Sequence, residues 1–366
     1  MKWLRFTLSS LVLSSALVVA GCGGGGNPEP DFTADPIADE EIVDLGDLIT
    51  PDPDAAAAAE VIGDAATMLA EGKKQGEKVR SDVAAVLQFI KEAAQGEPTK
   101  KGVTAKGNAY AQWVKPIQGV EITFSAVRVT QDRLRYLVQG KASDGTKKGL
   151  LTGIFVKKGP KTGGGRFHVN LTSVSDLYGA PGADGSVHFW FANHKGDKRG
   201  RRIAYVDVVR RDDPAMQKVN YGADLVRLVG VGGRFRSVGV GDVIPALPGP
   251  EAIGMRILWK AGEGGRAAAA VASIGADPQL LGTAHECWDK DGLRTAYEDD
   301  NPTNDAMNPN EGDLSMCAGF SKEAPPDEGD VNENGQDADP ELDALLDESG
   351  AMDIDAADAD TADIGL

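Results

Sequence analysis

Between Val120 and Asp299 the chain repeats one local pattern: a short run of Val, Ile, Leu and aromatic residues, then a cluster of turn-forming residues, then another run. The runs read "VEITFSAVRV", "RLRYLVQGK", "LLTGIFVK", "FHVNLTSV", "SVHFWFAN", "RIAYVDVV", "VNYGADLVRLVGV", "RFRSVGVGDV", "AIGMRILWK", "AAAAVASI", "LLGTAHECW" and "LRTAYED". Each has the length of a strand, and the alternation in "FHVNLTSV" and "RFRSVGVGDV" gives such strands one buried and one wetter face. The linkers "ASDGTKKG", "KKGPKTGGG", "NHKGDKRG", "KAGEGG" and "WDKDG" carry turn residues, so sequence neighbours pair as antiparallel hairpins.

Ahead of the strands, Asp54 to Gln95 reads as helical, with Asp54 placed as the cap and Ala-rich turns following it. Val79, Val83, Val86, Leu87 and Ile90 recur at helical spacing and form one apolar stripe. Gly72 and Gly76 are expected to divide the segment into two helices. Such a stripe packs on a core or lies on a membrane surface, and the lack of aromatic anchors beyond Phe89 favours the core. The fold class that follows is mainly β with N-terminal helices (α+β). It is a curved antiparallel sheet, half-barrel or barrel, of about 11 to 12 strands with a packed helix. Roughly 240 ordered residues suffice for the core of one such domain.

The two ends of the chain differ in kind from this body. Lys2 and Arg5 are followed by an apolar run from Leu8 to Val19 and then "VVAGC". The run is too short for a permanent membrane span, and residues 1–21 read as a signal peptide. "VVAGC" resembles the lipobox of bacterial lipoproteins, which implies that Cys22 becomes the new N-terminus with a diacylglyceryl thioether and an N-acyl group. More than one chain is what stable anchoring requires. Gly23 follows in place of the Asp that retains enteric lipoproteins in the inner membrane, so the expected location is the outer membrane, facing the periplasm or the cell surface. Residues 22–54 are an acidic Gly/Pro tether, and residues 321–366 form an acidic tail of composition that does not order itself.

Charge divides along the same boundaries. The formal net charge is -18, yet the stretch from Glu60 to Tyr297 holds thirty-five Lys and Arg against twenty-four Asp and Glu. A basic body is therefore flanked by acidic arms. Anionic lipid headgroups, lipopolysaccharide or the protein's own tail are the partners such a surface would attract. Nucleic acid is not expected, because aromatics do not interleave with the basic residues in a recognised binding module.

With Cys22 lipidated, Cys287 and Cys317 remain as a pair in an oxidising compartment, and a disulfide between them would staple the polar loop of residues 299–320 to the body. His168, His188, His194 and His285 lack zinc spacings and read as solvated strand residues. No "GxSxG" elbow is present, and "GVGGRF" and "GAPGADG" read as turns. "RRDD" at Arg210 to Asp213 reads as a charged strand end, and "GRAAAAV" as small side chains at a close approach. In "HFWF", Phe189 and Phe191 share one face of a strand and Trp190 takes the other, as core or as the lining of a lipid pocket.

A helical segment (55–97) followed by a meandering sheet (98–298) resembles, in plan, the unclosed-barrel lipoprotein carriers of the Lol type and their mycobacterial lipid-binding relatives. The resemblance implies a cavity for acyl chains between sheet and helix, without marking particular residues. The last hairpins, ending near "ECW", are similar to uncharacterised delta-proteobacterial lipoproteins and support a structural Cys287. "DVNENGQDADPE" resembles EF-hand and dockerin-type loops, with Asp330, Asn332, Asn334, the Gln336 carbonyl and Glu341 as calcium ligands. Asp337 replaces the usual aliphatic residue, Pro325 and Pro326 preclude an entering helix, and no second loop pairs with it. Two readings stand, a weak calcium loop with affinity on the order of 10⁻⁴ to 10⁻³ M or a match produced by acidic composition. No other cofactor is expected. The functional expectation is a non-enzymatic, outer-membrane-anchored binding module for an apolar or lipid ligand, with membrane and envelope proteins as partners. The alternative is a structural or surface-interaction lipoprotein without a small ligand.

Overall fold

The computed structural model describes residues 65–94, 96–104, 107–131, 133–159, 162–179, 182–194, 198–212, 218–228, 231–241, 251–274, 279–300 and 310–317. The signal peptide, Cys22, the tether, Asp54 and the 330–341 loop lie outside the described residues. The elements are α1 (Thr67–Ala93), β1 (Lys100–Val103), β2 (Ala109–Ile117), β3 (Val120–Thr130), β4 (Arg133–Lys141), β5 (Lys147–Gly159), β6 (Thr162–Asn170) and α2 (Leu171–Tyr178). They continue as β7 (Ala183–His194), β8 (Lys198–Arg210), β9 (Val219–Leu228), β10 (Gly232–Gly241), β11 (Glu251–Lys260), β12 (Gly264–Ser273), β13 (Leu280–Trp288) and β14 (Arg294–Asp299).

The strands form one 14-stranded sheet in chain order, every neighbouring pair antiparallel. Among the described residues no pairing joins β14 to β1, so of the half-barrel and the barrel the open form is the one present. All twelve sequence runs contain strands, and β1 and β2 are additional. β2 lacks clean alternation and contains Pro116, and its hairpin to β3 turns on Gln118 (φ 48°) and Gly119 (φ 81°) rather than on an Asn-Gly or Asp-Gly pair. The run "FHVNLTSV" is only half strand. Asn170 ends β6 and caps α2, its side chain accepting from the Ser173 amide at 2.9 Å, and Gly179 closes the helix at φ 78°.

The expected division of the helical segment does not occur. α1 runs unbroken for 27 residues through Gly72 and Gly76. Both glycines lie on the buried stripe, which continues through Leu69, Val79, Asp82, Val86, Ile90 and Ala93. At Gly72 a Cβ would stand 2.0 Å from Ile257 Cδ1, so the glycine admits β11 to the helix backbone. Close packing outweighs the roughly 1 kcal/mol helix cost of a glycine. Val79, Val86 and Ile90 are buried as expected; the side chains of Val83 and Leu87 lie outside the described set.

The path of α1 explains why the sheet must curl. Its first turn is beside β13 and β14, Gly72 meets β11, Gln75 meets β9, Lys78 and Asp82 meet β8, and the Glu92 carbonyl accepts from Lys115 of β2 at 3.0 Å. From β13 to β2 a flat sheet would extend about 53 Å at ~4.8 Å per step, while α1 is about 40 Å long. Register shifts at Val138/Gln139, Tyr205/Val208 and Val271/Ala272 supply bulges that bend the strands. The face on which α1 and α2 lie is the inner face, and alternate residues of every strand point to the outer one.

Candidate functional site

The inner face is filled. Trp113, Phe124, Tyr136, Phe167 and Phe191 follow one another across β2, β3, β4, β6 and β7 with ring centroids 5.5, 5.6, 6.2 and 5.9 Å apart. Each is at most 2 % exposed. Glycines make the room: a Cβ on Gly153 would come within 2.3 Å of the Phe167 ring, and one on Gly165 within 2.6 Å of Phe191. Phe189 and Phe191 thus join this core, as their shared parity predicts, while Trp190 takes the outer face. One polar atom is stranded within the run. The Tyr136 hydroxyl is buried without a hydrogen-bond partner, and burial pushes its ionisation up beyond the usual phenol range.

Two polar clusters hold α1 on this face. Its N-cap, Ala66, offers no side-chain acceptor. Glu286 of β13 substitutes for it from 219 positions away: Oε1 accepts from the Thr67 amide at 2.8 Å, and Oε2 from Met68 at 2.7 Å and Leu69 at 3.4 Å. Those amides have no partner within a helix, and a carboxylate there also meets the positive end of the helix dipole. Arg294 Nε donates to Glu286 Oε1 at 2.9 Å, so the fully buried carboxylate is charge-compensated. Midway along α1, Asp82 accepts from Lys78 Nζ at 2.7 Å and from the Tyr205 hydroxyl. Burial raises the Asp82 carboxyl above its ordinary value against the opposing pull of Lys78. Burial and the Asp82 charge together hold the Tyr205 phenol well above its own ordinary value. Carboxylate, ammonium and phenol satisfy one another, and the cluster clamps the helix to β8.

The expected disulfide is present, with the Cα atoms of Cys287 and Cys317 5.8 Å apart. It lies on the outer face, since Cys287 faces Arg266 while its neighbour Glu286 points inward. The polar loop also returns to the body by backbone pairing of Tyr297 with Glu311.

The outer face carries an arrangement that single runs do not reveal. Following direct cross-strand partners, one row reads Arg135, Ile154, Arg166, Trp190, Arg202, Asp224, Arg236 and Arg256 from β4 to β11. Two residues along each strand, a second row begins at Arg133 and Val156 and ends at Arg234, Leu258, Arg266 and Cys287. Trp190 lies between two guanidinium groups, 5.2 Å from Arg166 and 6.0 Å from Arg202. Arg202 in turn forms a forked pair with Asp224 at 2.7 and 3.0 Å. His168 and His188, expected as solvated residues, are half-buried on this face with ring centroids 4.5 Å apart. Burial, then the His168 and Arg166 charges, lower His188 to about 4. His285 sits half-buried on the same face of β13, and the His194 side chain lies outside the described set.

This face is also more apolar than a solvated one. Leu137, Ile154, Val156, Val226 and Val238 are each at most 6 % exposed, although both described helices pack against the opposite side. Thr152 Oγ1 and His188 Nδ1, either side of His168, are buried atoms without a hydrogen-bond partner. The sequence hint was one or two outward arginines in run after run, as in "RLRYL", "GRFHV", "RFRSV" and "MRILW". Their alignment required the register. Among the described residues no group of three or more His, Cys, Asp and Glu side chains is placed to hold a metal. No described helix is long and apolar enough to cross a membrane. Compared with known protein families, curated proteins and solved structures, the chain matches none.

Proposed function

We propose that the protein is an outer-membrane-anchored lipoprotein acting as a non-enzymatic binding module, and that the outer face of its sheet is the working surface. The observation that carries this reading is the alignment of eight arginines in two cross-strand rows beside buried apolar side chains. Guanidinium groups fork onto phosphate or carboxylate oxygens, and the adjoining Leu, Ile and Val suit an apolar segment. The ligand class is therefore an anionic amphiphile, of which an acidic lipid is the simplest example. A chain ending after Cys317 keeps every described element and tests the idea, with Cys22→Ala removing the anchor. It should sediment with phosphatidylglycerol vesicles and not with phosphatidylcholine ones, and raising salt from about 0.05 to 0.5 M should release it, since the screening length falls several-fold. Equal binding to both lipids, or to neither, would refute the assignment.

A second reading places an apolar ligand between sheet and helix. The stranded Tyr136 hydroxyl favours it, because a buried donor without a partner invites a ligand acceptor. Such a ligand would have to replace contacts that the stacked rings and α1 make with one another. Native mass spectrometry of protein extracted from membranes would show a bound lipid that Tyr136→Phe weakens. A mass equal to the bare lipoprotein would end this reading.

A further inference from the structure

We propose that the outer face is the docking surface for the chain's own C-terminal segment, residues 321–366. The disulfide roots that segment on the correct side. Cys317 is bonded to Cys287, which faces outward as the direct partner of Arg266, so the chain after Cys317 starts at the end of the second arginine row. The N-terminal flank starts elsewhere, since it joins α1 where Glu286 holds Thr67 and Met68 on the inner face.

Charge and reach agree with this occupant. Residues 321–366 hold sixteen Asp and Glu against the single Lys322. The facing rows themselves hold eight arginines and one acid, Asp224. From β13 to β4 the sheet arc is nine strand steps, about 43 Å at ~4.8 Å each. A flexible segment of this length has a root-mean-square span of about 35 to 40 Å, and several times that when extended. Leu342, Leu345, Leu346, Met352 and Ile354 are interspersed with the acids. The face they would meet is one that neither described helix covers. Tethering gives such a segment an effective concentration in the millimolar range, so it acts as a built-in competitor that any outside anion has to displace.

The proposal does not depend on an outside ligand being found, and its test is separate from vesicle binding. Arginine side-chain NMR resonances are compared between the mature Cys22→Ala chain and the same chain ending at Phe320, at about 0.05 M salt. Resonances of Arg234, Arg236, Arg256 and Arg266 should shift on loss of the tail, and that of Arg294 on the inner face should not. In the full chain, tail amides should show restrained motion that is lost in R236Q/R256Q and at about 0.5 M salt. The double variant carries its own folding check in the unshifted Arg294 signal. Deleting residues 23–54 should leave the four arginine signals in place. Identical arginine spectra with and without the tail would overturn the proposal. So would a tail equally mobile in every chain, or a shift produced by deleting 23–54 instead.

Discussion

The two faces of this sheet are made by the same strands from alternate residues, yet they solve opposite problems. Inward, the two polar clusters that hold α1 are paired, Glu286 with Arg294 and three helix amides and Asp82 with Lys78 and Tyr205, and the Tyr136 hydroxyl alone in the ring run is left without a partner. Rings lie flat over glycines, and α1 completes the packing. Outward, guanidinium groups line up with like charges side by side, as at Arg236 and Arg256, which are direct cross-strand partners. Like charges opposite one another destabilise a sheet. Like charges aligned on one face, against a ring-filled core under α1 on the other, support the proposal that the inner face stabilises and the outer face recognises.

Substitutions separate these tasks most sharply at Glu286. Glu286→Ala removes the acceptor for three helix amides and leaves Arg294 buried without its main partner, so unfolding free energy should fall by about 3 to 5 kcal/mol in chemical denaturation. Next comes the covalent staple on the outer face: Cys287→Ser with Cys317→Ser should cost about 3 to 4 kcal/mol on the chain-entropy model for a sequence separation of 30, read as a lower denaturation midpoint. A pH titration follows. His188 is held near 4 against an ordinary value of 6.5, so the unfolded chain binds the extra proton between those values. Stability should be fully present above about pH 6.5 and decline as pH falls toward 4, by on the order of 1 kcal/mol after solvent screening. His188→Gln should flatten that slope, and an unchanged slope would place the titration elsewhere. The smallest effect on stability belongs to the outer rows, where R236Q/R256Q should change unfolding free energy by less than about 1 kcal/mol.

How far the sequence revealed each face follows from the range of the interactions. Strands β3 to β14 were legible because alternation and turn residues are local signals. The inner parity of Phe189 and Phe191 followed from a period of two. β2 escaped because Pro116 and the Gln118–Gly119 turn fall outside the usual signatures, and α2 because its Asn170 cap sits inside an apparently alternating run. Gly72 was misread as a helix break, since only the arrival of Ile257 from β11 shows it to be a contact. The Glu286 clamp spans 219 positions and leaves no local trace. The arginine rows needed the register of nine strands to appear. The net positive charge of the body announced a basic surface, without saying that eight of its arginines would align on one side of one sheet.

The central claim, that the outer face recognises while the inner face stabilises, is tested most directly by one pair of values on R236Q/R256Q in the chain ending after Cys317: affinity for phosphatidylglycerol vesicles and the denaturation midpoint. Removing two of the aligned charges should weaken vesicle binding by about tenfold or more at ~1 kcal/mol per basic residue, with the midpoint essentially unmoved. Unchanged vesicle affinity in a normally folded variant would contradict the account.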